Sequence, residues 1–135
     1  MKTKRIFILI TFIIFTLVLT GCAVQNGDNV ENTYKQISPK EAKQIMDDSD
    51  GYIILDVRTQ SEYDQGHIPN AVLLPNETIG TDEIEILPDK NQLILVYCRS
   101  GNRSKQASQK LVDLGYTNIY EFGGIIDWPY DIVTD

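Results

Sequence analysis

The apolar residues of this chain fall into two rhythms. Tyr52-Ile53-Ile54-Leu55-Asp56-Val57 and Leu93-Ile94-Leu95-Val96-Tyr97 are near-continuous apolar runs. Runs of that length predict strands covered on both faces, as in a parallel sheet. Ala71-Val72-Leu73-Leu74, closed by Pro75, predicts a third strand, and Thr117-Asn118-Ile119-Tyr120-Glu121 a last one. Between them the apolar residues recur at helical spacing. Ser38-Pro39-Lys40-Glu41 is a capping box with proline at the first helical position, and Ala42, Ile45 and Met46 supply the stripe that follows. Asp47 to Gly51 stops that helix. Thr59-Gln60-Ser61-Glu62 starts a shorter helix ending at Gly66. A third runs from Arg103 to Leu114, with Ala107 and Leu111 on its stripe and Gly115 as its stop. Asn76 to Leu87 has no clear period, although Asp82 to Leu87 fits one helical turn, and Pro88-Asp89-Lys90-Asn91 reads as a turn. Strands alternating with helices predict an α/β fold, an open, mostly parallel sheet flanked by helices. Ligands of such sheets bind at the carboxyl ends of the strands.

The first residues follow neither rhythm. Met1-Lys2-Thr3-Lys4-Arg5 is basic, and Ile6 to Leu19 is apolar apart from Thr11 and Thr16. Those fourteen residues fall short of the roughly 20 that span a bilayer as a helix, so an export signal fits better than an uncleaved anchor. Leu19-Thr20-Gly21-Cys22 resembles the lipobox of bacterial lipoproteins. That resemblance implies cleavage before Cys22, lipid on the Cys22 thiol, and an extracytoplasmic, membrane-anchored protein. Residues 1–21 are then a signal peptide, 22–33 a lipidated N-terminus with a polar tether, and 34–135 the domain. The net charge of −7 becomes −10 once Lys2, Lys4 and Arg5 are removed. Such a surface repels phosphate backbones, which argues against nucleic acid as a partner. A small anion in a local cationic pocket is still compatible with it.

The cysteines narrow the chemistry. Only Cys22 and Cys98 are present. With Cys22 lipidated, Cys98 has no intramolecular partner, although exported domains usually pair their thiols. It stands at the end of the Leu93–Tyr97 strand, followed by Arg99-Ser100-Gly101-Asn102-Arg103-Ser104 and a helix. A buried structural cysteine would have apolar neighbours on both sides; here they lie on one side only. Unpaired N–H groups at a helix start and the helix dipole favour a thiolate and an adjacent anion, and Arg99 and Arg103 add cationic donors. This is the pattern of a nucleophilic cysteine in an anion cradle. One histidine, His67, and one remaining cysteine cannot build a metal site, and no motif calls for a cofactor.

Four segments together resemble the rhodanese family of sulfurtransferases in its single-domain form. They are Asp56-Val57-Arg58, Glu62-Tyr63-Asp64-Gln65-Gly66-His67-Ile68-Pro69-Asn70-Ala71, the Cys98–Ser104 loop, and Phe122-Gly123-Gly124-Ile125-Ile126-Asp127-Trp128. The resemblance covers about Tyr34 to Trp128. It implies a rhodanese-like α/β fold and a covalent, two-step transfer of sulfane sulfur. In that scheme Cys98 takes sulfur from a small anionic donor such as thiosulfate and passes it to a thiol or cyanide. The loop Arg99, Ser100, Gly101, Asn102, Arg103 and Ser104 would hold the donor and the persulfide. Gly101 turns the backbone, and Ser104 caps the helix or meets the terminal sulfur. Asp56 and Arg58 would be a supporting ion pair, His67 part of a structural turn, and Trp128 with Tyr130 a packing lid. Cysteine-dependent phosphatases and arsenate reductases on the same fold use a loop one residue longer than the four residues between Cys98 and Arg103. The shorter loop favours sulfur over a tetrahedral oxyanion. A binding module or a persulfide carrier for a partner protein is the other rival, and a redox thiol a third. A monomer is the default state.

Overall fold

The computed structural model describes residues 33–134. The expected signal peptide (1–21), the lipidation site Cys22 and the tether up to residue 32 lie outside the described residues. Among the described residues, five strands form one sheet: β1 (Lys35–Gln36), β2 (Tyr52–Asp56), β3 (Val72–Leu73), β4 (Leu93–Cys98) and β5 (Ile119–Gly124). Their spatial order is β1-β5-β4-β2-β3, and every pair is parallel. The helices are α1 (Pro39–Asp48), α2 (Gln60–Asp64) and α3 (Asn102–Asp113). This is the expected open, parallel α/β sheet flanked by helices.

Strand β4 sits at the centre, and its side chains alternate between two cores. Ile94, Val96 and Cys98 face α3 and pack with Leu55, Val57, Ala107 and Leu111. Leu95 and Tyr97 face the other side, with Ile54, Ala42, Phe122 and Trp128. Burial on both faces explains why its sequence is an unbroken apolar run.

Local chemistry sets the helix ends. Ser38 accepts from the Glu41 N–H, and Glu41 accepts from the Ser38 N–H in return. Thr59 and Glu62 repeat the arrangement at α2. The α3 helix starts at Asn102, one residue before the expected Arg103, after a left-handed Gly101 with no side-chain cap. Its other end is a Schellman closure, in which the Tyr116 N–H donates to Leu111 O and the Gly115 N–H to Val112 O.

Three segments depart from the sequence reading. β1 was not expected: its two residues are exposed, and only the pairing of Lys35 and Gln36 with Tyr120 and Glu121 makes them a strand. Asp82 to Leu87 forms no helix; the segment has one 3-10 turn at Asn76–Thr78 and then irregular backbone anchored by buried Ile79 and Leu87. β5 runs to Gly124, three residues past its expected end, through a bulge that opposes one extra residue to β4 between Val96 and Cys98. Gly123 supplies the positive φ (91°) of that bulge.

The Asp56–Arg58 pair fastens β2 to the chain that follows it. The Arg58 guanidinium donates to Asp56 through Nε and Nη2 (2.6–3.0 Å) and to Gly66 O (2.8 Å). The Tyr97 hydroxyl donates to Asp56 Oδ2 (2.6 Å) and accepts from the Ile68 N–H (3.2 Å). Burial in this company pushes the Tyr97 phenol above its ordinary titration range. Both Asp56 oxygens thus accept from more than one donor, which offsets the cost of burying the charge. Tyr97→Phe should therefore lower unfolding free energy by about 1–3 kcal/mol, because it orphans the buried Ile68 N–H and takes one of the donors from Asp56 Oδ2. Urea unfolding midpoints of the two proteins measure this; equal midpoints would contradict it.

Candidate active site

Cys98 ends β4, and the chain turns at once into α3. The one-sided apolar flanks argue against a buried Cys98; in the fold it is nevertheless 1 % exposed. The reason is the loop, which folds back over it. The Gly101 N–H donates to Cys98 Sγ at 3.0 Å. Gly101 reaches that position with φ 99°, a conformation that favours glycine. The β5 bulge closes the other side. A Cβ on Gly124 would lie 2.1 Å from Arg99 O and 2.5 Å from Ser100 Cα. Strand and loop therefore touch backbone to backbone, and the Ile126 N–H donates to Arg99 O (3.2 Å).

The cations of the site divide into engaged and available ones. Arg99 is exposed and has no side-chain partner among the described residues. It borders a cavity of about 270 Å³ whose walls include Arg58, Glu62, Ile125, Ile126 and Ile132. Arg103, expected as a second anion donor, is instead held by Glu62 through two bonds of 2.7 Å. The pairing has a local cause: the capping box of α2 fixes the Glu62 carboxylate at the helix start, facing α3. Ser100 and Asn102 are exposed.

Ser104 is fully buried and does not cap α3. Its hydroxyl lies 2.6 Å from Glu121 Oε1, 3.0 Å from Gly101 O and 3.3 Å from Gly123 O. The Cys98 thiol points at Ser104 Oγ from 3.5 Å. Glu121, on β5, is 3 % exposed and also accepts from the Gly123 N–H at 2.8 Å. The sequence reading passed over Glu121. Its signal was present, since it is the one charge inside the Ile119–Phe122 strand. The sequence places Glu62, Tyr97 and Gly124 in their elements but carries no local signal of these contacts.

His67 is buried in the turn after α2, stacked on Tyr63 with ring centroids 3.7 Å apart, and its Nδ1 lies 3.0 Å from Tyr63 O. Trp128 packs on Phe122 and, edge-on, against Tyr130. No group of three or more metal-ligating side chains occurs among the described residues.

The chain as a whole is similar to known proteins. The rhodanese-like domain matches residues 38–129, and the chain belongs to that family. A thiosulfate sulfurtransferase, GlpE, of Coxiella burnetii is 38% identical over 70% of this chain and 87% of its own length. The adenylyltransferase and sulfurtransferase UBA4 of Candida albicans is 32% identical over 84% of this chain, but the match spans only 27% of that protein. The solved rhodanese-like domain protein of Staphylococcus aureus superposes with a TM-score of 0.65 at 30% identity, covering 75% of this chain and 98% of that one.

Two outcomes follow from the geometry. Gly124→Ala should cost about 3 kcal/mol or more, since backbone on both sides must move; thermal melting measures it, and an unchanged melting temperature would contradict the contact. The Arg103 bonds, against some opposing burial and with help from Thr59, hold the Glu62 carboxyl at about 2 instead of 4.5. The unfolded carboxylate takes its proton near 4.5 and the folded one near 2. The stabilisation is therefore complete above the first value and drains away as pH falls to the second. Glu62→Gln should flatten that part of the acid-unfolding curve, by under ~1 kcal/mol because the pair is partly solvated.

Proposed function

We propose that this protein moves sulfane sulfur from a small anionic donor such as thiosulfate to a thiol or cyanide, through a persulfide on Cys98. The observation that carries the reading is the Gly101 N–H aimed at Cys98 Sγ from 3.0 Å, at the start of α3. A donor there favours a sulfur anion over a neutral thiol, and the helix dipole adds to it. Membership of the family and the sulfurtransferase relatives support the same reading.

The steps balance without a cofactor. The Cys98 thiolate attacks the outer sulfur of thiosulfate, the S–S bond of the donor breaks, and sulfite departs with the electron pair. The Cys98 persulfide carries its charge on the terminal sulfur, where the loop amides and Ser104 can meet it. An acceptor thiolate or cyanide then attacks that sulfur, and the Cys98 thiolate leaves. Arg99, exposed at the rim of the cavity, would hold the anionic end of the donor. Arg103 contributes its field while held by Glu62. Asp56 and Arg58 shape the wall.

The expected result is a mass gain of one sulfur when the full chain is incubated with thiosulfate and exchanged into fresh buffer. Cyanide reverses the gain, and Cys98→Ser abolishes it. No gain with thiosulfate, polysulfide or a small persulfide would favour a non-catalytic binding module. Turnover that occurs only with a second protein present would favour a dedicated carrier.

We further propose that the domain is lipid-anchored through Cys22 on the outer side of a bacterial membrane. The support is the order of basic, apolar and small residues before Cys22. Cys22→Ala should release the protein from the membrane fraction while sulfur transfer persists. Continued membrane retention would mean an uncleaved anchor.

A further inference from the structure

Beneath the loop, three buried groups form a chain from β4 through α3 to β5: Cys98 at 1 %, Ser104 at 0 % and Glu121 at 3 % exposure. The thiol faces Ser104 Oγ (3.5 Å), and Ser104 Oγ faces Glu121 Oε1 (2.6 Å). A hydroxyl has a single proton. Of its three acceptors the glutamate oxygen is the nearest and, when ionised, the only charged one, so the Ser104 proton goes there. Ser104 then presents only lone pairs to Cys98. It can accept from a thiol in that state, but it cannot donate to a thiolate.

We propose that Ser104 and Glu121 are a proton relay for Cys98, with Glu121 a positioning residue that receives the thiol proton by way of the serine. In the resting arrangement Cys98 S–H donates to Ser104, and Ser104 O–H donates to the Glu121 carboxylate. Activation shifts two protons by one place each: the thiol proton to Ser104 Oγ, and the Ser104 proton to Glu121. The product is a thiolate, a serine hydroxyl that now donates to sulfur, and a neutral carboxylic acid that donates to the serine. No proton leaves the site and its net charge is unchanged, which matters for groups as buried as these. The neutral acid also spares the persulfide a second buried negative charge. When the acceptor removes the sulfane sulfur, the thiolate returns and the protons shift back.

The charges around the chain are consistent with this direction. Arg103, on α3, interacts electrostatically with Cys98 and is shared with Glu62 and Glu77. Arg99 stands on the loop itself. Lys105 of α3 and Asp127, just after β5, border the groove that Glu121 lines, and β1 brings the neutral Gln36 to its side. Arg103 thus adds positive potential at the sulfur end, where the negative charge arrives, and Lys105 and Asp127 oppose each other along the Glu121 groove.

The proposal rests on Cys98 being the nucleophile of the sulfur-transfer reading, yet its test requires no sulfur donor. The probe is iodoacetamide, and the readout is the rate of Cys98 alkylation against pH in the full chain. Peptide mass spectrometry counts Cys22 separately. Between about pH 6 and pH 9 an ordinary free thiol changes its thiolate fraction roughly 200-fold. The relay predicts a change of no more than about tenfold in the wild type. Glu121→Gln can still accept from Ser104 and Gly123 but cannot take a proton. It should show the steep profile of an ordinary thiol while melting at the wild-type temperature. Ser104→Ala, which keeps the Glu121–Gly123 bond, should do the same and decides the matter if the glutamine variant fails to fold. A Glu121→Gln profile equal to wild type would reduce Glu121 to an anchor of the β5 bulge. Faster alkylation at low pH would mean that the carboxylate only repels the thiolate. Either result overturns the relay. Loss of persulfide formation with the relay profile intact would instead count against sulfur transfer.

Discussion

The loop after β4 has to reverse over its own strand within a few residues, and the room for it is created on β5. Gly124 has no side chain, and the backbone of Arg99 and Ser100 occupies the volume where a Cβ would be. The bulge that brings Gly124 there depends on Gly123 at positive φ and on the Glu121 carboxylate accepting the Gly123 N–H. Much else follows from that approach. The loop is pinned by the Ile126 N–H, Cys98 is covered, and Gly101 is held with its amide on the sulfur. A bulge at the end of a sheet is a common device for re-aiming groups beside a reactive centre.

Electrostatics at the site are economical for so acidic a chain. Three arginines stand near the loop, and two are already paired: Arg58 with Asp56, and Arg103 with Glu62. The pairs organise rather than recruit. One ties β2 to the turn at Gly66, and the other ties α2 to α3. Arg99 remains as the exposed guanidinium at the mouth. Among the described residues, the groups at the mouth that are not tied up in ion pairs are thus the exposed Arg99 guanidinium and the Gly101 amide directed at Cys98.

The buried carboxylate under the loop changes how the cysteine is understood. Backbone amides and a helix dipole favour an anion at Cys98 but do not say where the thiol proton goes. Ser104 and Glu121 answer that question with groups that also hold the bulge. Structure and chemistry there are therefore one set of contacts, which makes the choice of substitution decisive in any experiment.

The periodicity of the chain by itself determined the α/β class, the two central strands, both capping boxes and the glycine that ends α3. These depend on contacts within a few residues or on burial common to a whole strand, and such information is local. The placement of Cys98 between an apolar strand and a helix start was legible for the same reason. Only the tertiary structure decided which arginine is available, that Cys98 is buried, that Lys35–Gln36 is a strand, and that Glu121 stands beneath Cys98. Glu62 meets Arg103 across 41 residues of sequence, and Ser104 meets Glu121 across 17. No local pattern encodes such pairs. They exist because the parallel sheet brings the carboxyl ends of β2, β4 and β5 to one edge, where α2, α3 and the bulge converge.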